Sequence, residues 1–266
     1  MNHIAFTHDG LTLSGYDIGQ GPTVVFQHGL GGDIGQIIEA FPAANVRRLT
    51  LECRGQGTSP FGDAQYFSIP QFADDVLAYA DSRGVEKFVV GGISMGAAIA
   101  LRIAVIAPAR VKALILARPA WAWDSAPKNM SVFNILSEYV KIQDKARFEA
   151  TEIAKKFASN APDNYASLLR LFEKADPARV AQLHSSIASS GPGVSEKQVR
   201  AIEVPTVVLG NAVDLIHPLS LAQKLSSAIA GSNFVEITPK ATDKAKHFSE
   251  FHHTVKNFMK QIEVLN

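Results

Sequence analysis

The chain has 266 residues, 47% of them hydrophobic, and its 26 basic and 25 acidic side chains leave a formal charge of +1. That length buries most of its apolar surface without a metal or disulfide staple, and the charge balance gives no electrostatic argument for nucleic acid or an anionic membrane as partner. The single cysteine, Cys53, excludes an intrachain disulfide and fits a reducing compartment.

The N-terminus has no basic region leading into a long apolar core, so no secretory signal is expected and a cytoplasmic location is the default. Short apolar runs at 4–6 and 11–16, joined by Asp9-Gly10, predict a hairpin. The runs 23–27, 46–51 and 87–91 are apolar on both faces, the pattern of central parallel strands. Between them, 70–83 carries Phe72, Val76, Leu77 and Ala80 at helical spacing, with Ser68 as N-cap and Gly84 as stop. A nearly all-apolar helix spans 95–107, interrupted by Arg102 and closed by Pro108, too short to cross a bilayer. A strand at 111–117 is followed by a long helical region over about 129–198. The chain then reads strand (204–209), helix (218–230), strand (233–237) and helix (248–262). Strands alternating with helices predict an α/β architecture: a mostly parallel, twisted sheet with helices on both faces. The strandless middle predicts a helical cap at 121–200, inserted into a core made of 1–120 and 201–266.

The strongest chemical signal is Gly92-Ile93-Ser94-Met95-Gly96, a G-x-S-x-G placed between a strand and a helix. A serine in so tight a turn sits at strained backbone angles. Its neighbours two residues away must lack bulk to clear the adjacent strand and helix. The turn projects the hydroxyl from the sheet edge and leaves the Met95 N–H at the helix start free to hold an oxyanion. With this elbow the chain resembles the α/β-hydrolase family, and further segments match in order. His28-Gly29-Leu30-Gly31-Gly32 is similar to the family's His-Gly oxyanion loop, which implies the Leu30 N–H as second oxyanion donor and His28 as a structural residue. Arg54-Gly55-Gln56-Gly57-Thr58-Ser59 resembles the R-G-x-G-x-S turn, with Glu52 where Asp is usual; an ion pair of Glu52 with Arg54, or helix-end contacts, is expected there.

A serine hydroxyl needs a base, and the base an orienting carboxylate. In this fold the order is serine, acid, histidine. The segment 210–218 resembles the family's acid loop and implies Asp214 as the acid, a helix cap being the alternative. The resemblance implies His247 as the base, although Lys246 stands where the family has glycine. His252 and His253 are rivals inside the apparent helix, and His217 is read as structural. The loop 238–246 carries Lys240, Lys244 and Lys246, either a solvated surface or an approach for an anionic substrate.

Arg118, Trp121 and Trp123 follow the strand at 111–117 and are candidates for the pocket wall, since ligands lie at the carboxyl ends of the strands in open α/β sheets. Arg118 either binds a substrate carboxylate or phosphate or bridges core and cap. Phe133, Leu136, Val140, Phe157, Leu168, Leu169 and Phe172 are read as packing residues of the cap. Neither C-x-x-C nor H-E-x-x-H occurs, so no metal and no cofactor is expected. The expected function is hydrolysis of a small carboxylic ester or lactone through an acyl-enzyme on Ser94. Cleavage of a carbon–carbon bond in a diketone-type substrate, or a non-catalytic ligand-binding role, is the alternative. The expected partner is a small molecule, not nucleic acid or membrane, and a homodimer is left open.

Overall fold

The structure, a computed structural model, describes residues 2–41, 45–262 and 264. Among these residues eight strands form one sheet: β1 (Asn2–His8), β2 (Leu11–Ile18), β3 (Thr23–Gln27), β4 (Arg47–Leu51), β5 (Phe88–Ile93), β6 (Val111–Ala117), β7 (Thr206–Gly210) and β8 (Asn233–Glu236). Their order is β1-β2-β4-β3-β5-β6-β7-β8. Pairing is antiparallel from β1 to β2 and from β2 to β4, and parallel across the rest. The sheet opens with the expected hairpin, in which Asp9 (φ 47) and Gly10 (φ 73) supply the left-handed angles that such a turn needs.

Among the described residues eleven α-helices accompany it: α1 (Ile34–Ala40), α2 (Ile69–Ser82), α3 (Met95–Ile106), α4 (Ser131–Lys141), α5 (Lys145–Glu149), α6 (Glu152–Asn160), α7 (Pro162–Leu169), α8 (Pro177–Ser189), α9 (Glu196–Arg200), α10 (Leu219–Ala228) and α11 (Lys244–Gln261). The central strands are apolar on both faces because both are covered. Alternate residues go to opposite sides. Val25, Val90, Leu114, Leu116 and Val208 join the cluster packed with α2, α3 and α10. Val24, Phe26, Val89, Ile115 and Leu209 face α1 and α11. Ser68 caps α2, its hydroxyl accepting from the Gln71 N–H, so the helix begins at Ile69.

Two helices depart most from the sequence reading. Helix α1 has no counterpart there; its seven residues are too few to show a period, and the signal is Asp33, whose carboxylate caps Gly35 and Gln36. Helix α11 starts at Lys244 rather than 248, because Asp243 caps it by accepting from the Lys246 N–H. The long helical stretch after β6 is several short helices, broken at Gln143 (φ 57), Asp176 (φ 55) and Gly193 (φ 64). Between β6 and β7 the described residues contain no strand, so helices α4 to α9 form one insertion in the chain between these two strands. Among the described residues no helix is long and apolar enough to cross a membrane.

Candidate active site

Strand β5 ends at Ile93 and α3 begins at Met95, leaving Ser94 alone in the turn with φ 57 and ψ −111. A non-glycine residue at these angles is strained and persists only where its surroundings fix it. They do so here through an N–H bond to the Ala117 carbonyl of β6 (2.9 Å) and through helix bonds from Ala97 and Ala98 back to the Ser94 carbonyl. Gly92 and Gly96 make the turn possible: a Cβ at Gly92 would run into the Gly96 backbone, and one at Gly96 into the Gln27 carbonyl.

The hydroxyl of Ser94 donates to His217 Nε2 at 2.8 Å. The same ring donates from Nδ1 to Asp214 Oδ1 at 2.9 Å, which fixes the tautomer with Nε2 as the acceptor. Asp214 and His217 share one short loop after β7. The loop folds into a turn in which Asp214 Oδ1 also accepts the backbone N–H of His217 at 3.0 Å. That single bond brings the imidazole back over the carboxylate that precedes it by one turn.

The other carboxylate oxygen is held by Arg118, whose Nε (3.0 Å) and Nη2 (2.5 Å) both donate to Oδ2. Burial alone would raise the Asp214 pKa; Arg118 and His217 more than offset it and hold the carboxyl well below its usual range. Burial pushes the His217 pKa down, with Asp214 opposing and Arg118 adding to the shift. The Arg118 guanidinium lies 3.4 Å from Nδ1, donor against donor. At neutral pH the pair is therefore an ionised carboxylate beside a neutral imidazole with an open lone pair toward Ser94.

The insertion secures this loop. Asn164 of α7, 3% exposed, accepts from the N–H groups of Leu215 (2.8 Å) and Ile216 (3.2 Å). Asn129 donates to the carbonyls of Ile216 (2.6 Å) and Ala120 (2.9 Å). Both residues between Asp214 and His217 are thus pinned by side chains from outside the core.

His247 lies elsewhere, which corrects the sequence expectation for the base. Because α11 begins at Lys244, His247 sits in its first turn rather than in the preceding loop; its N–H bonds the Asp243 carbonyl. Its Nδ1 donates to the Thr238 carbonyl at 2.8 Å, and the side chain is buried. Burial pushes its pKa down. His252 meets the Glu39 carbonyl and His253 meets Asn257, so neither rival reaches Ser94. The signal that would have found His217 is Asp214-x-x-His217: an aspartate readily bonds the N–H of the residue three positions on.

Ser94 and His217 line a cavity of about 460 Å³ between the sheet edge and the insertion. Its apolar wall includes Leu30, Met130, Phe133, Leu168, Leu171 and Ile216. Phe133 and Leu168 therefore face the cavity rather than only packing the insertion. The tryptophans do not line it. Trp121 is fully buried and donates from Nε1 to the Ser190 carbonyl at 3.0 Å, so it ties the start of the insertion to the end of α8. Trp123 is half-buried under the Lys224 ammonium, 4.1 Å from its ring centre. The cause is Arg118: its left-handed φ of 46 turns the chain, so that Ala120, Trp121 and Ala122 enter the core. Arg118 itself lines the cavity, yet its guanidinium is engaged with Asp214.

Leu30 stands on the loop after β3, and Met95 opens α3 beside Ser94. Among the described residues neither backbone N–H donates a hydrogen bond, while those of Gly29 and Gly31 are taken by Gln36 and Gln56. His28 is fully committed, donating from Nδ1 to the Gly29 carbonyl and accepting the Cys53 N–H at Nε2. Glu52 does not pair with Arg54. It accepts the Ile34 N–H at the start of α1 and both the N–H and the hydroxyl of Thr58, while Arg54 forms a buried two-bond pair with Asp75.

Comparison with known proteins agrees with this architecture. A family model described as alpha/beta hydrolase fold matches residues 22–251. The AB hydrolase superfamily protein YisY of Bacillus subtilis is 28% identical over 250 residues, covering 88% of this chain and 90% of that protein. Among solved structures, the enol-lactonase of Burkholderia xenovorans superposes with a TM-score of 0.75 at 21% identity, covering 95% of this chain and 98% of the other. The esterase EaEST of Exiguobacterium antarcticum gives 0.77 at 20% identity, covering 98% and 100%.

Proposed function

The chain belongs to the alpha/beta hydrolase fold family, and from that premise we propose that it is a serine hydrolase cleaving a small carboxylic ester or lactone through an acyl-enzyme on Ser94. The observation that carries the reading is the continuous relay from Ser94 Oγ through His217 to Asp214, with bonds of 2.8 and 2.9 Å. Similarity near 20% identity carries the fold and not the substrate; ester and lactone are favoured because esterase and lactonase chemistry occurs among proteins of this shape.

In this mechanism His217 Nε2 takes the Ser94 proton as Oγ attacks the substrate carbonyl carbon. Asp214 keeps the ring in the reactive tautomer and stabilises the imidazolium. The Leu30 and Met95 N–H groups hold the oxyanion, the latter at the positive end of α3. The tetrahedral intermediate collapses: the carbon–oxygen bond of the leaving group breaks and His217 returns the proton to it. Water, deprotonated by His217, then attacks the acyl-enzyme and frees Ser94. In a lactone the leaving hydroxyl stays on the acyl chain. The insertion, residues 121–200, acts as a cap that supplies one wall of the site. The test is labelling by a fluorophosphonate together with turnover of a short-chain aryl ester. Both are expected in the native protein and neither in Ser94→Ala; labelling that persists in Ser94→Ala would refute Ser94 as the nucleophile.

A further inference from the structure

The charged side chains around the reaction cavity are unevenly paired. Its wall carries Asp33 and Glu39 against Arg118, Arg170, Lys174 and Lys240. Asp33 caps α1, and Glu39 is held by Lys244 at 2.7 Å. Arg118 is spent on Asp214. Arg170 donates only to the Ser167 hydroxyl, and among the described residues Arg170, Lys174 and Lys240 have no carboxylate within ion-pair distance. Three cations without an ion-pair partner therefore line the cavity that Ser94 opens into, and the two carboxylates of its wall are engaged elsewhere, Asp33 as the cap of α1 and Glu39 with Lys244.

Lys240 is the most informative of the three. It stands just past β8, half-buried, with its ammonium 5.4 Å from the ring centre of Phe248. Burial lowers its pKa, with Glu39 and Asp163 opposing the shift, and neither of these carboxylates closes an ion pair with it. It also lines a smaller adjoining cavity of about 40 Å³, shared with Arg118 and closed by His247 and Phe248. Lys240 thus stands on the wall between the space at Ser94 and a side recess. Arg170 and Lys174 face it from the insertion.

We infer that the substrate of this site is an ester or lactone bearing a carboxylate on its acyl part, and that Lys240 receives that carboxylate while Arg170 and Lys174 attract it to the mouth. The inference rests on the serine hydrolase reading and names its substrate class. A partly desolvated ammonium gains more from an anion than a fully hydrated one does.

The test compares 4-nitrophenyl butyrate with the mono-4-nitrophenyl ester of glutaric acid. The native protein is expected to favour the carboxylated ester in kcat/KM by about tenfold or more, the preference shrinking with added salt. Lys240→Met is expected to reduce that ratio to about one, and Lys240→Arg to restore most of it. A native preference for the neutral ester, or an unchanged ratio in Lys240→Met, overturns the inference while leaving the hydrolase reading intact. If neither ester is cleaved, calorimetry with glutarate decides: binding by the native protein that is lost in Lys240→Met supports the subsite without the hydrolase reading. Absence of glutarate binding refutes the subsite.

Discussion

The ends of β7 and β8 each offer a histidine to the same sheet edge, and the structure uses them differently. After β7, Asp214 bonds the N–H of His217 within one turn, before α10 begins at Leu219. The ring is thereby free of any helix and reaches Ser94. After β8, Asp243 makes the same kind of bond, but to Lys246, and in doing so starts a helix. His247 is enclosed in its first turn and spends Nδ1 on the Thr238 carbonyl. Two aspartates with the same local habit thus have opposite consequences: one presents an imidazole, the other withdraws one. What separates them is where the helix starts, a matter of capping and not of which residue types are present.

The comparison can be broken most severely at its acid. Asp214→Asn keeps the shape but offers the wrong partner to His217 Nδ1 and to Arg118, and ester kcat is expected to fall by about 10⁴-fold; a loss under tenfold would show that the β7 loop is not the catalytic one. Arg118→Met sharpens the electrostatic side. Breaking a buried pair costs about 3–5 kcal/mol, so Tm should drop by roughly 6 °C or more in a chain of this size. The Asp214 carboxyl lies below its ordinary value in the folded state, so its contribution to stability is full above pH 3.8 and is lost as pH falls through the lowered value. Without Arg118 that loss moves to higher pH. His217 loses a cation beside it as well, so the acidic limb of kcat/KM, expected below pH 6.5 in the native protein, should move upward; an unmoved limb would detach Arg118 from the pair.

Asn164→Ala tests whether the insertion holds the loop. It strands two N–H groups, at about 1–3 kcal/mol each, and is expected to lower kcat by about tenfold with little change in KM. Asn164→Asp, which keeps an acceptor, should recover most of the rate; equal loss in both variants would argue against positioning through this oxygen. The smallest effect is expected at His247. Replacing it by alanine removes the bond to Thr238, worth about 1 kcal/mol, and should show in thermal unfolding rather than in turnover.

Much of this was legible in the sequence, for identifiable reasons. Apolar runs covered on both faces gave the central strands, and Gly92 and Gly96 flanking Ser94 gave the elbow, since steric exclusion admits little else there. Asp214 was readable from its place after a strand. Which histidine it serves was not, because family order pointed past β8 while the short-range bond to His217 depends on loop geometry. The start of α11 was misplaced by four residues, which is enough to move His247 from a loop into a helix. Trp121 and Trp123 were misread because strand direction alone placed them at the site edge. The left-handed backbone at Arg118 redirects the chain, and its side chain bonds a carboxylate 96 residues away; neither leaves a local pattern.

The most direct test is a side-by-side measurement of kcat/KM on a short-chain aryl ester for His217→Ala and His247→Ala. With His217 as the base, His217→Ala should lose about 10³-fold or more and His247→Ala no more than about threefold. A protein that keeps its activity without His217 and loses it without His247 would contradict the account at its centre.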